Sequence, residues 1–268
     1  MMQNDQTQNM DIEAKLRELD LATQVNSGSL VTVTVVAAAG KVRYRSIHGR
    51  EGSPRNRQAV DTGKYLKDAK TRSIRSMQEI VRANKLDCFV TLTFSSEVSP
   101  HYAMKNWQKI VRSKTMKGFR PYLVVFEDGA GQSRVHLHML TVETEALKIQ
   151  TNWPYGHVYV QRVPFDELDA VCRYIGKDFA QINRPTRNRY FASKGSKPAR
   201  QRLVLTSEET LYDVVNIASD GRQAHSEWMI ESGLGKFGSI SWNPHTEPDS
   251  SGSIQNIGNS YYKRSSMV

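Results

Sequence analysis

Cysteine is scarce: Cys88 and Cys172 are the only two in 268 residues, and each sits in an apolar run. That excludes a disulfide framework, and both thiols are expected to pack as small hydrophobes. Long hydrophobic runs are missing as well. No stretch approaches the roughly 20 apolar residues that carry a helix across a bilayer, so no membrane partner is expected. Met1 to Glu13 is polar and holds acids, unlike a secretory leader, and a cytoplasmic protein in its host cell is expected. A phosphate-cradling Gly-x-x-x-x-Gly-Lys-Ser/Thr loop is also absent, because Gly235-Lys236 runs into Phe237. The chain therefore brings no nucleotide-driven motor of its own. Negative charge is in deficit: 37 Lys and Arg face 27 Asp and Glu, a formal net charge of +10. A polyanion is the natural partner for such a surface, since phosphate contacts release condensed counterions.

Hydrophobic residues make up 38% of the chain, and they concentrate in its middle. Residues 1–30 are expected to be a polar arm, and residues 243–268, dominated by Ser, Asn, Gly and Pro, a disordered tail. Between them, 31–242 is expected to fold as one domain with extensions around a motif core at about 87–180. Val31 to Ala37 and Lys41 to Ile47 predict a hairpin turning near Ala39-Gly40. Arg57 to Asn84 predicts a long helix, its apolar stripe bordered by Arg72, Arg75, Arg82 and Lys85. Strands are predicted at Cys88–Phe94, Tyr122–Glu127, Val135–Val142 and Gly156–Val163. Helices are predicted at Tyr102–Ser113 and at Asp166–Ala180, the latter with Asp166 as its N-cap. Leu203–Leu205 and Ser239–Trp242 are weaker strand candidates, and Glu208–Ala218 a short helix. This order implies an α+β fold with a mainly antiparallel sheet.

Three segments carry chemistry. In Val135-His136-Leu137-His138-Met139, strand alternation puts both histidines on one face. Two imidazoles so spaced can chelate one metal, although a bare His-x-His pair also fits two ordinary polar-face histidines. Glu127 sharpens the case. A turn over Asp128–Ser133 centred near Gly131-Gln132 brings it opposite His136. Two imidazoles and a carboxylate suit Mg²⁺ or Mn²⁺ bridging to a phosphodiester, and the ligand types also admit zinc. The second segment is the helix Asp166–Ala180. Its apolar stripe is Leu168, Val171, Cys172, Ile175 and Phe179, with Tyr174 and Lys177 side by side off that stripe. A phenol needs a neighbouring cation to act as a nucleophile at neutral pH, and Lys177 is of the right kind. The third segment, Val90-Thr91-Leu92-Thr93-Phe94, is a strand with both threonines on one face.

In this order and spacing, the three segments resemble the motifs of the HUH endonucleases, in particular the rolling-circle replication initiators of phages, plasmids and single-stranded DNA viruses. The resemblance runs from about Asp87 to Lys177. It rests on the strand Val90–Phe94, on His136-Leu137-His138, and on Tyr174-Ile175-Gly176-Lys177. It extends to Arg189-Tyr190-Phe191-Ala192-Ser193-Lys194-Gly195, similar to the basic segment of phage initiators. It implies a ferredoxin-like core with a central antiparallel sheet flanked by helices. It also implies a metal held by Glu127, His136 and His138, and Tyr174 attacking single-stranded origin DNA to give a 5′-phosphotyrosine and a free 3′-hydroxyl. Lys177 would assist charge at that site. Some relatives carry a second tyrosine four residues on. Here that position is Asp178, expected to pair with Lys177, which implies a single-tyrosine enzyme.

Arg184, Arg187, Arg189, Lys194, Lys197, Arg200 and Arg202 follow the Tyr174 helix, with Tyr190 and Phe191 among them. Cations interleaved with aromatics suit a single strand. A host helicase and polymerase are the further partners implied. An HUH transposase or relaxase shares the chemistry. A non-catalytic single-strand-binding module of ferredoxin-like fold would need neither the tyrosine nor the metal set, and a metal-dependent protein without a tyrosine adduct is a weaker alternative.

Overall fold

A computed structural model of the protein describes residues 15–16, 30–47, 62–128, 135–180, 188–205, 210–232 and 235–248. In chain order the elements are β1 (Leu30–Val36), β2 (Lys41–Ile47), α1 (Thr62–Ala83), β3 (Cys88–Phe94), α2 (Pro100–Val111), β4 (Tyr122–Asp128) and β5 (Val135–Thr141). They continue with α3 (Glu143–Asn152), β6 (Gly156–Arg162), α4 (Leu168–Ile175), β7 (Phe191–Ala192), β8 (Gln201–Leu205), α5 (Thr210–Ser219), β9 (Ala224–Ser232) and β10 (Gly235–Trp242). None of the described helices is long and apolar enough to cross a membrane.

The fold is α+β, as expected, with two five-stranded sheets paired antiparallel throughout. The segment expected at 31–242 is laid out as two compact units, residues 57–197 and residues 1–56 with 198–268. In the unit built from both ends of the chain, the sheet order is β8-β1-β2-β10-β9. The β1–β2 hairpin turns through Ala37–Ala39 into Gly40, at φ +59°. A Cβ on Gly40 would stand 2.2 Å from the Trp242 carbonyl oxygen, so both the backbone angle and the close approach require glycine there. Alternate residues Val31, Val33 and Val35 pack with Leu211, Val214 and Val215 of α5.

In the unit 57–197 the order is β6-β3-β5-β4-β7, a sheet with helices on both faces, consistent with the expected ferredoxin-like core. Even residues of β3 and β4 and odd residues of β5 (Val90, Leu92, Val124, Phe126, Leu137, Met139) form one apolar face under Trp107 of α2 and Ile149 of α3. The opposite face carries Leu123, Val125 and Leu140 against Met77 and Ile80 of α1 and Leu168, Cys172 and Ile175 of α4. Both cysteines are buried and free, as their apolar context implies.

Several boundaries differ from the sequence-based expectation. The helix expected at Asp166–Ala180 is a short 3-10 turn, Phe165–Glu167, followed by α4, which ends at Ile175. Asp166 lies in that turn and does not cap; the N-cap is Glu167, without a side-chain cap bond. Gly176 closes the helix where α4 meets α1: a Cβ there would approach Ile74 Cγ1 to 2.7 Å. α3 and β9 were not anticipated. In α3 the buried face comprises only Glu145, Ala146 and Ile149, too thin a stripe to stand out. Arg82, expected on an exposed basic face of α1, is buried with its guanidinium 4.7 Å from the centre of the Phe165 ring. The residues 57–61 of the expected long helix and the turn 129–134 lie outside the described residues.

Gly156 begins β6 against β3, and a Cβ there would lie 2.2 Å from the Thr93 carbonyl oxygen and 2.6 Å from the Ser95 amide nitrogen. Backbone cannot yield as a flexible side chain can. Gly156→Ala is expected to destabilise the 57–197 unit by about 1–3 kcal/mol, the usual cost of overpacking, read as a lower urea-unfolding midpoint.

Candidate active site

The polar cluster arises because one face of the sheet changes character along its strands. On β5 the residues of this face run Leu140, His138, His136; on β4, Leu123, Val125, Glu127; on β3, Phe89, Thr91, Thr93. The apolar members lie beneath α1 and α4, and the polar ones follow at the other end. Antiparallel register aligns them into rows. Glu127, His136, Thr93 and His157 are successive partners across four strands, and Val125, His138, Thr91 and Tyr159 form the next row. The expected pairing of Glu127 with His136 is therefore present in the register.

Each histidine is held through Nδ1. His136 Nδ1 is 3.3 Å from the Thr93 hydroxyl, and His138 Nδ1 is 3.2 Å from the Thr91 hydroxyl. When Nδ1–H donates to threonine, Nε2 keeps its lone pair for a metal. Phe89 stacks on the His138 ring at 5.4 Å and fixes its plane. The carboxylate of Glu127 then reaches across its row. Its Oε2 lies 2.7 Å from His138 Nε2, and its Oε1 lies 2.6 Å from Lys177 Nζ. Contact with His138 first, and with Lys177 after it, holds the Glu127 carboxyl down to about 2 in spite of its burial. The same contact with Glu127 raises the Lys177 ammonium above the ordinary lysine value. Lys177 is thus taken by Glu127 rather than by Asp178, whose charge is a minor influence on it.

The end of α4 brings the tyrosine to this cluster. Tyr174 sits in its last turn, 53% exposed, with its ring 6.1 Å from that of His138 and the Lys177 ammonium 4.8 Å from its centre. Gly176 ends the helix and lets Lys177 turn inward, while Lys70 of α1 donates to the Lys177 carbonyl. Four side chains from three elements and the turn after α4 therefore meet at one place: Glu127, His138, Tyr174 and Lys177. His136 shares the face one step along β5.

Among the described residues, no group of three or more His, Cys, Asp or Glu side chains converges closely enough to hold a metal ion. The donor set nevertheless fits one. Oε2 of Glu127 is buried and has no aligned hydrogen bond, although His138 Nε2 stands 2.7 Å away. Two such ligand atoms face to face need a shared proton or cation between them, and the threonines hold the imidazoles in the orientation a divalent cation would use.

The basic segment is only partly a free surface. Arg184 and Arg187 lie outside the described residues. Arg189 donates from Nε to the Phe179 carbonyl at 3.0 Å. Tyr190 is anchored by a 2.8 Å bond from its hydroxyl to Ser76, and Phe191 packs on Phe126. These two rings are thus built into the unit rather than held out for bases. Lys194 and Lys197 are exposed in a turn pinned beneath by the buried Ser193 and Ser196, whose hydroxyls are 2.6 Å apart. Together with Arg189 and Tyr190 they line a groove of about 590 Å³. Arg200 and Arg202 belong to the other unit.

Thr91 and Thr93 had no assigned role in the sequence, and His157 and Tyr159 escaped notice entirely. The alternation His157-Val158-Tyr159-Val160 was a usable signal, but only the pairing of β6 with β3 puts these residues in the histidine rows.

Because the Glu127 carboxyl titrates near 2 in the folded chain against an ordinary 4.5, its stabilising contribution is full above pH 4.5 and is lost as pH falls toward 2. Metal-free protein is expected to lose stability over that interval. Glu127→Gln should remove a component on the order of 1 kcal/mol, measured as the difference between urea midpoints at pH 6 and pH 3 in chelator.

In comparisons with known proteins, residues 87–179 match a family described as a replication-associated protein of the ORF2 type. No curated protein and no solved structure is detectably similar to the chain. The matched stretch contains Glu127, both histidines, Tyr174 and Lys177. In that stretch the chain is similar to proteins associated with replication.

Proposed function

We propose that the chain is an HUH-type nickase and ligase that initiates rolling-circle replication by cutting single-stranded origin DNA with a single tyrosine, Tyr174. The observation that carries this reading is the convergence of Tyr174 on His138, Glu127 and Lys177, inside a stretch similar to replication-associated proteins. A binding module has no use for an exposed phenol between an imidazole and an ammonium.

Glu127, His136 and His138 would hold a divalent cation, Mg²⁺ or Mn²⁺, which supplies Lewis-acid polarisation of the scissile phosphate. The chain's own groups do the rest. Tyr174 Oη attacks phosphorus and the P–O3′ bond breaks. The phenolic proton leaves to solvent, and the 3′-oxygen takes a proton and departs as a hydroxyl that can prime synthesis. The DNA 5′-phosphate remains on Tyr174, and attack by a 3′-hydroxyl reverses the step. Lys177 places its positive charge beside the developing phenolate. Thr91 and Thr93 orient the imidazoles. Lys194 and Lys197 offer cations to the strand. Unwinding would come from a host helicase, and extension from a host polymerase.

With Mn²⁺ and single-stranded oligonucleotides from its own replicon, the protein is expected to give a cleaved product and a covalent protein–DNA band on a denaturing gel. Tyr174→Phe should abolish the adduct, and His136→Ala/His138→Ala or chelator should reduce it at least about 100-fold. Binding without an adduct under every metal sampled would favour the non-catalytic module, and cleavage surviving Tyr174→Phe would name another nucleophile.

Thr91→Val and Thr93→Val keep shape and remove the hydroxyl that holds each imidazole. Each is expected to weaken metal binding about 10–100-fold, the usual cost of losing an outer partner of a histidine ligand, as measured by Mn²⁺ titration of the folded protein.

A further inference from the structure

The sheet β8-β1-β2-β10-β9 has two unlike faces. One packs under α5 through Val31, Val33, Val42, Leu203 and Ile240. The other is made by the alternate residues of the same strands, and register sorts them into rows. One row runs Val204, Thr32, Arg45, Phe237; the next runs Arg202, Thr34, Arg43, Ser239, Trp228. Lys41 and Ser241 pair in the row beyond.

Two properties separate this face from an ordinary solvated sheet surface. The first is sign. Its described ionisable residues are Lys41, Arg43, Arg45 and Arg202, with no acid among them, and Glu227 of β9 pairs with Ile240 and so falls on the other face. A solvated surface without a partner mixes signs, because like charges on neighbouring strands repel. The second is exposed aromatic area. Trp228 is 43% and Phe237 37% exposed, with rings 6.2 Å apart and nearly perpendicular. Phe237 is the direct register partner of the exposed Arg45.

We propose that this open face binds single-stranded DNA, with Arg45 and Arg202 taking backbone phosphates and Trp228 and Phe237 stacking bases. A polyanion satisfies the one-signed charge, and rings on an open sheet can stack only on bases that are not already paired. The face belongs to a different unit from Tyr174, and its DNA binding does not depend on the cleavage reaction.

The test uses the full chain carrying Tyr174→Phe, in chelator, with a fluorescein-labelled oligothymidylate of about 20 nucleotides, longer than the site size of one small binding fold. Anisotropy reports binding as salt is varied. Arg45→Gln/Arg202→Gln is expected to weaken binding and to reduce the slope of log affinity against log salt by about 1.4, the release expected from two phosphate contacts on a single strand. Trp228→Ala and Phe237→Ala should each weaken it at least about fivefold, and Trp228→Phe should restore most of the loss. Unchanged thermal unfolding shows that a variant is folded. Should either alanine variant unfold, the exposed arginine pair decides alone. A folded variant with all four changes that binds within twofold of its parent overturns the proposal. So does tighter binding to a duplex of the same length.

Discussion

The Glu127 carboxylate ties the sheet to the end of the tyrosine helix. It stands at the end of β4, with one oxygen beside His138 of β5 and the other on the Lys177 ammonium beyond α4. A carboxylate that is only 16% exposed is costly to bury unless its charge is met, and here it is met from two directions. The pairing orients what surrounds it. Lys177 can reach Glu127 only by turning in after Gly176, and that turn carries its charge over the Tyr174 ring. The phenol, the imidazole and the ammonium thus share one anchor.

The site also depends on where helical cover stops. Along β3, β4 and β5, one sheet face passes from Phe89, Leu123 and Leu140 to Thr93, Glu127 and His136. Apolar residues need a helix above them, and polar ones need water, a ligand or one another. α4 ends near that boundary, its last buried residue being Ile175. The face opposite stays apolar along the same strands, from Cys88 to Phe94 on β3, so the rows of chemistry rest on a packed layer and cannot shift by one residue without inverting it.

Much of this was legible from spacing. His-x-His on a strand shares a face by geometry, and a short turn after Glu127 was enough to place its register partner. Local pattern could not say which imidazole the carboxylate touches, because the contact runs diagonally to His138 rather than straight across to His136. It also misjudged Tyr190 and Arg82, whose polar ends looked available on a basic stretch but are held by Ser76 and Phe165. The hardest feature to see was the second sheet. β2 pairs with β10 across nearly the whole chain, Lys41 with Ser241, and β8 and β9 are short strands with mixed patterns. No local period reveals a sheet assembled from both ends of a chain around an inserted unit.

On the proposed chemistry, one phosphodiester is exchanged for another, so the bond energies scarcely favour either direction. What decides between cutting and rejoining is then how firmly the strand is held on each side of the tyrosine, which is a matter of binding energy rather than of the nucleophile. The chain's excess of ten positive charges is suited to that task, but only where it is organised. Scattered lysines give affinity that salt screens away. Lys194 and Lys197 on a serine-pinned turn, and Arg45 beside an exposed ring on a regular strand, hold their charge in fixed geometry, and fixed geometry costs less entropy when DNA arrives.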